Sequence, residues 1–170
     1  MSEPLIELCH HNVWATERLL DACAGLSDAQ LDADMTGTFG SIRSTLTHLV
    51  GAQERMVTAL AGAGPVSVNR DRDPFPGLAE LRARARTSGE ALGGLAATAR
   101  SGAIARTTWR DETFTLPVWL LLAQAITHAT EHRTQIAAIL TQQGIEPPGM
   151  DVWTYHEDRF HGDWSRLWSS

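Results

Sequence analysis

The sequence predicts an all-α fold, a bundle of four long helices carrying one small β-hairpin. Three observations predict it. Apolar residues recur with helical spacing over four runs, about Pro4 to Ala24, Ser41 to Ala61, Leu78 to Arg100 and Pro117 to Gln143, which lines each run with a single apolar face. Turn-forming residues separate the runs. Strand-like alternation is confined to one short stretch ahead of the last run. At 170 residues the chain has the size of one domain, spanning 1–170.

The first run carries a stripe of Leu5, Leu8, Cys9, Thr16, Leu19, Leu20 and Cys23, and Gly25 gives it a C-terminal stop. Asn12 interrupts that stripe. A carboxamide there is either a core group with its hydrogen bonds satisfied or a sign that the stripe faces a polar pocket. His10 and Trp14 project to the other side, which suits a second contact surface such as another subunit. Ser27 opens a short helical piece as an N-cap. The second long run buries Ile42, Leu46, Leu49, Val50, Met56, Val57 and Leu60, with His48 at the flank and Ala52 and Gln53 near it.

Gly62 to Gly77 is longer than antiparallel neighbours need and lets the third run start at the same end as the second. The third run has a weak stripe of Leu81, Ala85, Leu92 and Leu95, and Arg82, Arg84 and Arg86 read as a solvated face. Thr107 to Trp109 and Thr113 to Thr115, split by Arg110-Asp111-Glu112, form a hairpin, and Pro117 opens the fourth run where proline is tolerated. Gly144 to Gly149 ends it. In Asp151 to His156, Trp153 and Tyr155 alternate as if one packs down and the other caps a pocket, and an aromatic tail with Phe160, Trp164 and Trp168 follows.

The chemistry concentrates in the fourth run. Its core face is Val118, Leu121, Leu122, Ala125, Ala129, Ile136, Ile139 and Leu140. His128 and His132 lie along one edge of that face, ~40° apart and one turn above each other, so both imidazoles can reach one metal ion. Two ligands are not a site. His48 supplies a third, and three imidazoles leave a position open for water or substrate. Gln124 and Gln135, a turn or so away, can take the second ring N–H of a ligating imidazole. Glu131 is ~100° round from His132; it is an outer partner, a general base, or a surface charge. His156 and His161 are weaker candidates in a polar stretch. His128 to His132 also fits H-x-x-E-H, but that motif's third ligand is a glutamate far downstream, and His48 explains the spacing better. Imidazoles suit zinc, nickel, copper or iron alike.

Charge excludes other classes. The net charge is −6 and there is no lysine, so the chain has no electrostatic footprint for nucleic acid or an anionic membrane. No apolar run approaches the ~18 residues of a membrane span, and Met1 to Pro4 lacks a signal-peptide pattern. Cys9 and Cys23, ~21 Å apart on one helix, cannot pair within a chain. A reducing cytoplasmic setting is expected.

Taken together, the chain resembles the DinB/YfiT-like superfamily of metalloenzymes. The matching pieces are Asn12-Val13-Trp14-Ala15 with Arg18-Leu19-Leu20, Gly37 to Ile42 leading into Leu46-Thr47-His48-Leu49, Leu116 to Trp119, His128 to Ile136, and Pro147-Pro148 with Asp151 and Tyr155. The likeness spans nearly the whole chain. It implies a four-helix bundle in up-down-down-up order, often a homodimer, with His48, His128 and His132 holding a divalent metal, zinc first and nickel or iron next, at one end of the bundle. Relatives often carry histidine where this chain has Gln124 and Glu131.

Members with assigned activities are mostly thiol-dependent, such as bacillithiol S-transferases and a mycothiol-dependent maleylpyruvate isomerase. The resemblance therefore implies a metal-dependent transferase moving a low-molecular-weight thiol onto a small electrophile. The metal would hold the thiol as thiolate, the reactive form. Arg133, Arg110 or Arg55 would grip the thiol's carboxylate, and Asn12, Gln124, Gln135 and Tyr155 would line the pocket. The alternatives are a metal-dependent hydrolase with Glu131 as base and a non-catalytic, metal-stapled stress or interaction module.

Overall fold

The computed structural model describes residues 3–62, 73–109 and 112–160. Among them lie α1 (Glu3–Cys23), α2 (Asp28–Leu31), α3 (Ile42–Ala61), α4 (Leu78–Thr98), β1 (Ile104–Trp109), β2 (Glu112–Pro117), α5 (Val118–Gln142) and α6 (Val152–Phe160). Local chemistry sets their ends. Ser27 and Gln30 make a capping box on α2, each side chain accepting from the other's backbone N–H. Ser41 Oγ accepts from Ser44 N–H ahead of α3, and Gly62, at φ +64°, ends that helix in the left-handed conformation glycine adopts without steric cost. Val118 N–H, unsatisfied within α5, donates to the Ala103 carbonyl at 2.9 Å, so the chain entering the hairpin caps the helix that leaves it. The strands pair antiparallel, Thr107 opposite Phe114 and Thr108 opposite Thr113.

Contacts between helices fix their directions. Along α1, Val13, Glu17 and Asp21 meet Gly89, Arg86 and Arg82 of α4 in descending order, so the two are antiparallel. Gln53 of α3 meets Ala85 and Ser88, and Met56, Val57 and Leu60 pack with Leu92 and Ala96, so α3 and α4 rise together. Ile42 and Leu46 share a cluster with Ile136, Ile139 and Leu140, whereas Ala59 packs with Leu121, which makes α3 and α5 antiparallel. The result is a four-helix bundle in up-down-down-up order. Most of the Gly62–Gly77 connection that the parallel α3–α4 pair requires lies outside the described residues, as do Arg110, His161, Trp164 and Trp168.

The core is layered. One apolar cluster holds Leu19, Leu20, Ile42, Leu46, Leu81, Ile136 and Leu140; another holds Cys9, Leu92, Ala96, Leu122 and Ala125. On α1, α3 and α4 a polar residue falls between the two. Arg133 Nη1 donates to Asn12 Oδ1 (2.7 Å), Asn12 Nδ2 to Gln53 Oε1 (2.8 Å), and Gln53 Nε2 to Ser88 Oγ (2.7 Å) and the Ala85 carbonyl (3.1 Å). This chain of hydrogen bonds ties α5, α1, α3 and α4 in turn. Asn12 is thus the satisfied core carboxamide of the two readings the sequence left open. Arg133 is 2% exposed, also donates to Thr16 and Thr130, and is pushed down to about 10 by burial.

The structure refines three expectations. Asp151 to His156, which the sequence left unassigned, enters a helix: Asp151 Oδ1 accepts from the backbone N–H of Trp153 (2.9 Å) and Thr154 (3.1 Å) and starts α6 as an N-cap. Trp14 is not left bare: half-buried, it packs edge-on to Tyr155 and donates to Asp158 of α6. Arg82, Arg84 and Arg86 do not form a simple solvated face either: they pair with Asp21, Glu54 and Glu17 of neighbouring helices, Arg84 through two hydrogen bonds of 2.8 and 2.7 Å.

Candidate metal site

Packing α3 antiparallel to α5 brings His48 over the step between His128 and His132. His48 Nε2 and His128 Nε2 lie 3.1 Å apart. The three imidazoles offer one nitrogen each within 4.8 Å of one another, and among the described residues no carboxylate or thiol joins that group. The rings sit edge to face, with centroids 4.4–5.1 Å apart. His132 is 6% exposed and His48 9%, while His128 is half-buried, so the cluster opens toward solvent on one side. It lies half way along α5 and two turns into α3, on the flank of the bundle rather than at its end as the resemblance implied.

The donor set fits a borderline divalent ion. Tetrahedral Zn–N bonds of ~2.05 Å put their nitrogens ~3.3 Å apart, close to the separation of His48 and His128. His132 Nδ1 donates to Gln135 Oε1 at 3.1 Å, the kind of bond that orients a metal-ligating imidazole and leaves its other nitrogen available as the ligand. Of the two glutamines the sequence offers for this role, Gln135 is the one bonded to a histidine ring of the cluster. The same Oε1 accepts the Phe39 N–H at 3.0 Å, which also fixes the orientation of the amide.

The other candidates fall elsewhere. Gln124 is exposed, one turn before His128. Glu131 is exposed, and its carboxylate is not part of the cluster. Asn12 belongs to the core network. Tyr155 does not come to the histidines: its hydroxyl donates to Glu7 at 3.0 Å, its ring packs on His11 and Trp14, and it is pushed up to about 12 by burial and by that bond. His156 stacks near Phe160 on α6, outside the group. Arg133 turns into the core rather than toward a ligand, and Arg55 is half-buried two turns beyond His48. Sequence reasoning missed Phe39. Its ring stacks on His48 at 4.0 Å and 17°, and stands edge-on to His132 at 5.4 Å. A large aromatic between Gly37 and Gly40, just ahead of the helix bearing His48, was the available signal.

The protein is thus of a helical-bundle class, an up-down-down-up bundle with a three-histidine cluster between its second and fourth long helices that could hold a metal ion. A DinB family profile matches residues 1–163, and the chain belongs to that family. Among solved structures it is similar to a DinB-like protein from Bacillus cereus ATCC 10987 (TM-score 0.65, 18% identity, covering 86% of this chain and 95% of that one). It is also similar to YfiT from Bacillus subtilis, described as a probable metal-dependent hydrolase with an unusual four-helix bundle topology (TM-score 0.62, 14% identity, 86% and 91% covered). No curated protein matches. No helix among the described residues is long and apolar enough to cross a membrane.

Proposed function

We propose that His48, His128 and His132 hold one divalent metal, zinc in the first instance, and that the site transfers a low-molecular-weight thiol to a small electrophile. The observation that carries this reading is the composition of the cluster: three imidazole nitrogens and, among the described residues, no acidic donor. Three neutral ligands leave the ion's charge uncompensated, and a bound metal would supply Lewis acidity and hold an incoming thiol as thiolate. The protein's own part is positional. Gln135 fixes the tautomer and aim of His132, α3 and α5 hold the three rings on converging axes, and the half-buried His128 leaves the approach open. Thiol transfer needs no protein base in this scheme, which suits a site whose nearest acid in sequence, Glu131, is exposed and outside the cluster.

A metal-dependent hydrolase is the second reading, favoured by the description given to YfiT. A bound metal would lower the pKa of a bound water directly, and Glu131, exposed and outside the cluster, would be its general base only in an outer position. As parts of the same proposal, the chain works as one domain in a reducing cytoplasm, as a homodimer, on a small molecule.

The first test is metal content by mass spectrometry on protein prepared without chelators, for the wild type and His48→Ala. About one divalent ion per chain, lost in the variant, is expected. Full occupancy of His48→Ala would overturn the triad. Metal-loaded protein is then assayed for conjugates of low-molecular-weight thiols with an electrophile. Hydrolysis of an ester or amide with no conjugate would favour the second reading.

A further inference from the structure

Phe39 is 43% exposed, which for a single phenylalanine is ordinary. It is nonetheless held from two sides. One face stacks on His48, and its backbone N–H is tied to Gln135 Oε1, the oxygen that also receives the His132 ring proton. The turn behind it is pinned as well: Thr38 Oγ1 donates to the Met35 carbonyl at 2.7 Å. A ring that packs on one imidazole, stands edge-on to another and stays 43% exposed offers an uncovered apolar surface beside the histidine cluster.

We propose that Phe39 is a specificity-determining wall of the site, one that favours ligands presenting an apolar or aromatic group, and that Gln135 is the positioning residue that keeps it there. This rests on the triad being a metal site. Gln135 couples the two jobs through one atom, because loss of its carbonyl oxygen frees the His132 ring and the Phe39 backbone together. Offset or edge-on contact with a ring in a partly dry site favours an aromatic ligand over an aliphatic one of similar donor chemistry.

The test uses cobalt-loaded full-length protein, reading the visible spectrum during titration with thiophenol, 2-mercaptoethanol and azide, with metal content measured on the same samples. Phe39→Ala is expected to retain metal and bind azide as the wild type does. Its preference for thiophenol over 2-mercaptoethanol should fall about fivefold, ~1 kcal/mol at 1.4 kcal/mol per tenfold. Gln135→Leu should lose the same preference and show faster amide hydrogen exchange across residues 37–40. Gln135→Glu, which keeps an acceptor for both donors, should restore both. An unchanged thiol ratio in Phe39→Ala at full metal content would overturn the wall and leave the metal site standing. No cobalt in the wild type would overturn both.

Discussion

Asn12→Ala is the perturbation that most directly tests the buried polar chain. The substitution removes the Oδ1 acceptor from Arg133 and the Nδ2 donor from Gln53. A hydrogen bond to a charged group is worth ~1.5–3 kcal/mol, and a buried carbonyl left without a donor costs ~1–3 kcal/mol. Gln53 cannot turn its amide over to compensate, since its Nε2 is committed to Ser88 and the Ala85 carbonyl. The sum is roughly 3–5 kcal/mol, a large share of the ~5–15 kcal/mol that stabilises a typical domain. At ~2–4 °C per kcal/mol for a chain of this size, Tm should fall ~6–20 °C.

The assay is urea unfolding and thermal melting in EDTA, so that metal binding does not enter, with Arg133→Met and the double variant completing a cycle. Burial already lowers Arg133 to about 10, so the folded state carries a desolvation penalty for this cation at neutral pH. Removing the guanidinium relieves that penalty and leaves no charged donor for Asn12 to satisfy. Asn12→Ala should therefore cost at least ~1 kcal/mol less in the Arg133→Met background than in the wild type. A cost for Asn12→Ala below ~1 kcal/mol, or additivity within ~0.5 kcal/mol, would refute the network as a coupled unit.

Three further outcomes follow from particular residues. A Cβ on Gly89 would meet Val13 Cγ2 at 2.1 Å, whereas one on Gly94 meets nothing within 4 Å. Gly89→Ala should therefore destabilise by ~1–3 kcal/mol by forcing α1 from α4, while Gly94→Ala should stabilise by ~0.5–1 kcal/mol, both read by urea unfolding. His11 is held below its ordinary 6.5, chiefly by burial and also by the Arg133 charge, while its bond to the Met150 carbonyl and nearby Asp151 oppose the shift. The unfolded state then takes up the proton first, so stability should fall as pH drops below ~6.5 until the folded-state value is passed. Melts of wild type and His11→Gln between about pH 7.5 and 5 check this, and an equal pH slope in the variant would remove His11 as the cause. Cys9 and Cys23 are fully buried and pushed up to about 11 and about 12 by that burial. A disulfide reagent should label neither thiol in the native protein and both in guanidinium, and rapid native labelling would contradict the packing of α1.

What is legible in the sequence is what local chemistry decides. Ser27, Ser41, Gly62 and Pro117 mark helix ends because capping and positive φ involve neighbours in the chain. His128 and His132 are legible as a pair because helical geometry alone puts them on one face, and His48 because it flanks another apolar stripe. The partners of Asn12 are not legible. Gln53 and Arg133 lie 41 and 121 residues away, and only the crossing of α1 with α3 and α5 makes them neighbours. The ion pairs of Arg82, Arg84 and Arg86 are hidden for the same reason. In α6 the only local signal is the Asp151 cap, which is weak in a run of nine residues. Phe39 stands in the sequence only as part of a motif, since a loop residue's position depends on what anchors the loop, here Gln135.

His132 and Arg133 show how the site and the core depend on each other. Adjacent residues on a helix point ~100° apart. Arg133 turns inward and is fastened to Asn12, Thr16 and Thr130, while His132 turns toward α3 and is aimed by Gln135. A rotation of α5 about its axis large enough to misdirect His128 and His132 would tear the guanidinium from acceptors it cannot replace in an apolar core. The hydrogen bonds through Asn12 and Gln53 also fix how far α1 and α3 slide relative to α5, and His48 rides on α3. A buried cation is costly for stability alone, and an apolar residue would fill the same volume with less penalty. Its effect here is to set the rotation and register of the two helices whose histidines must converge.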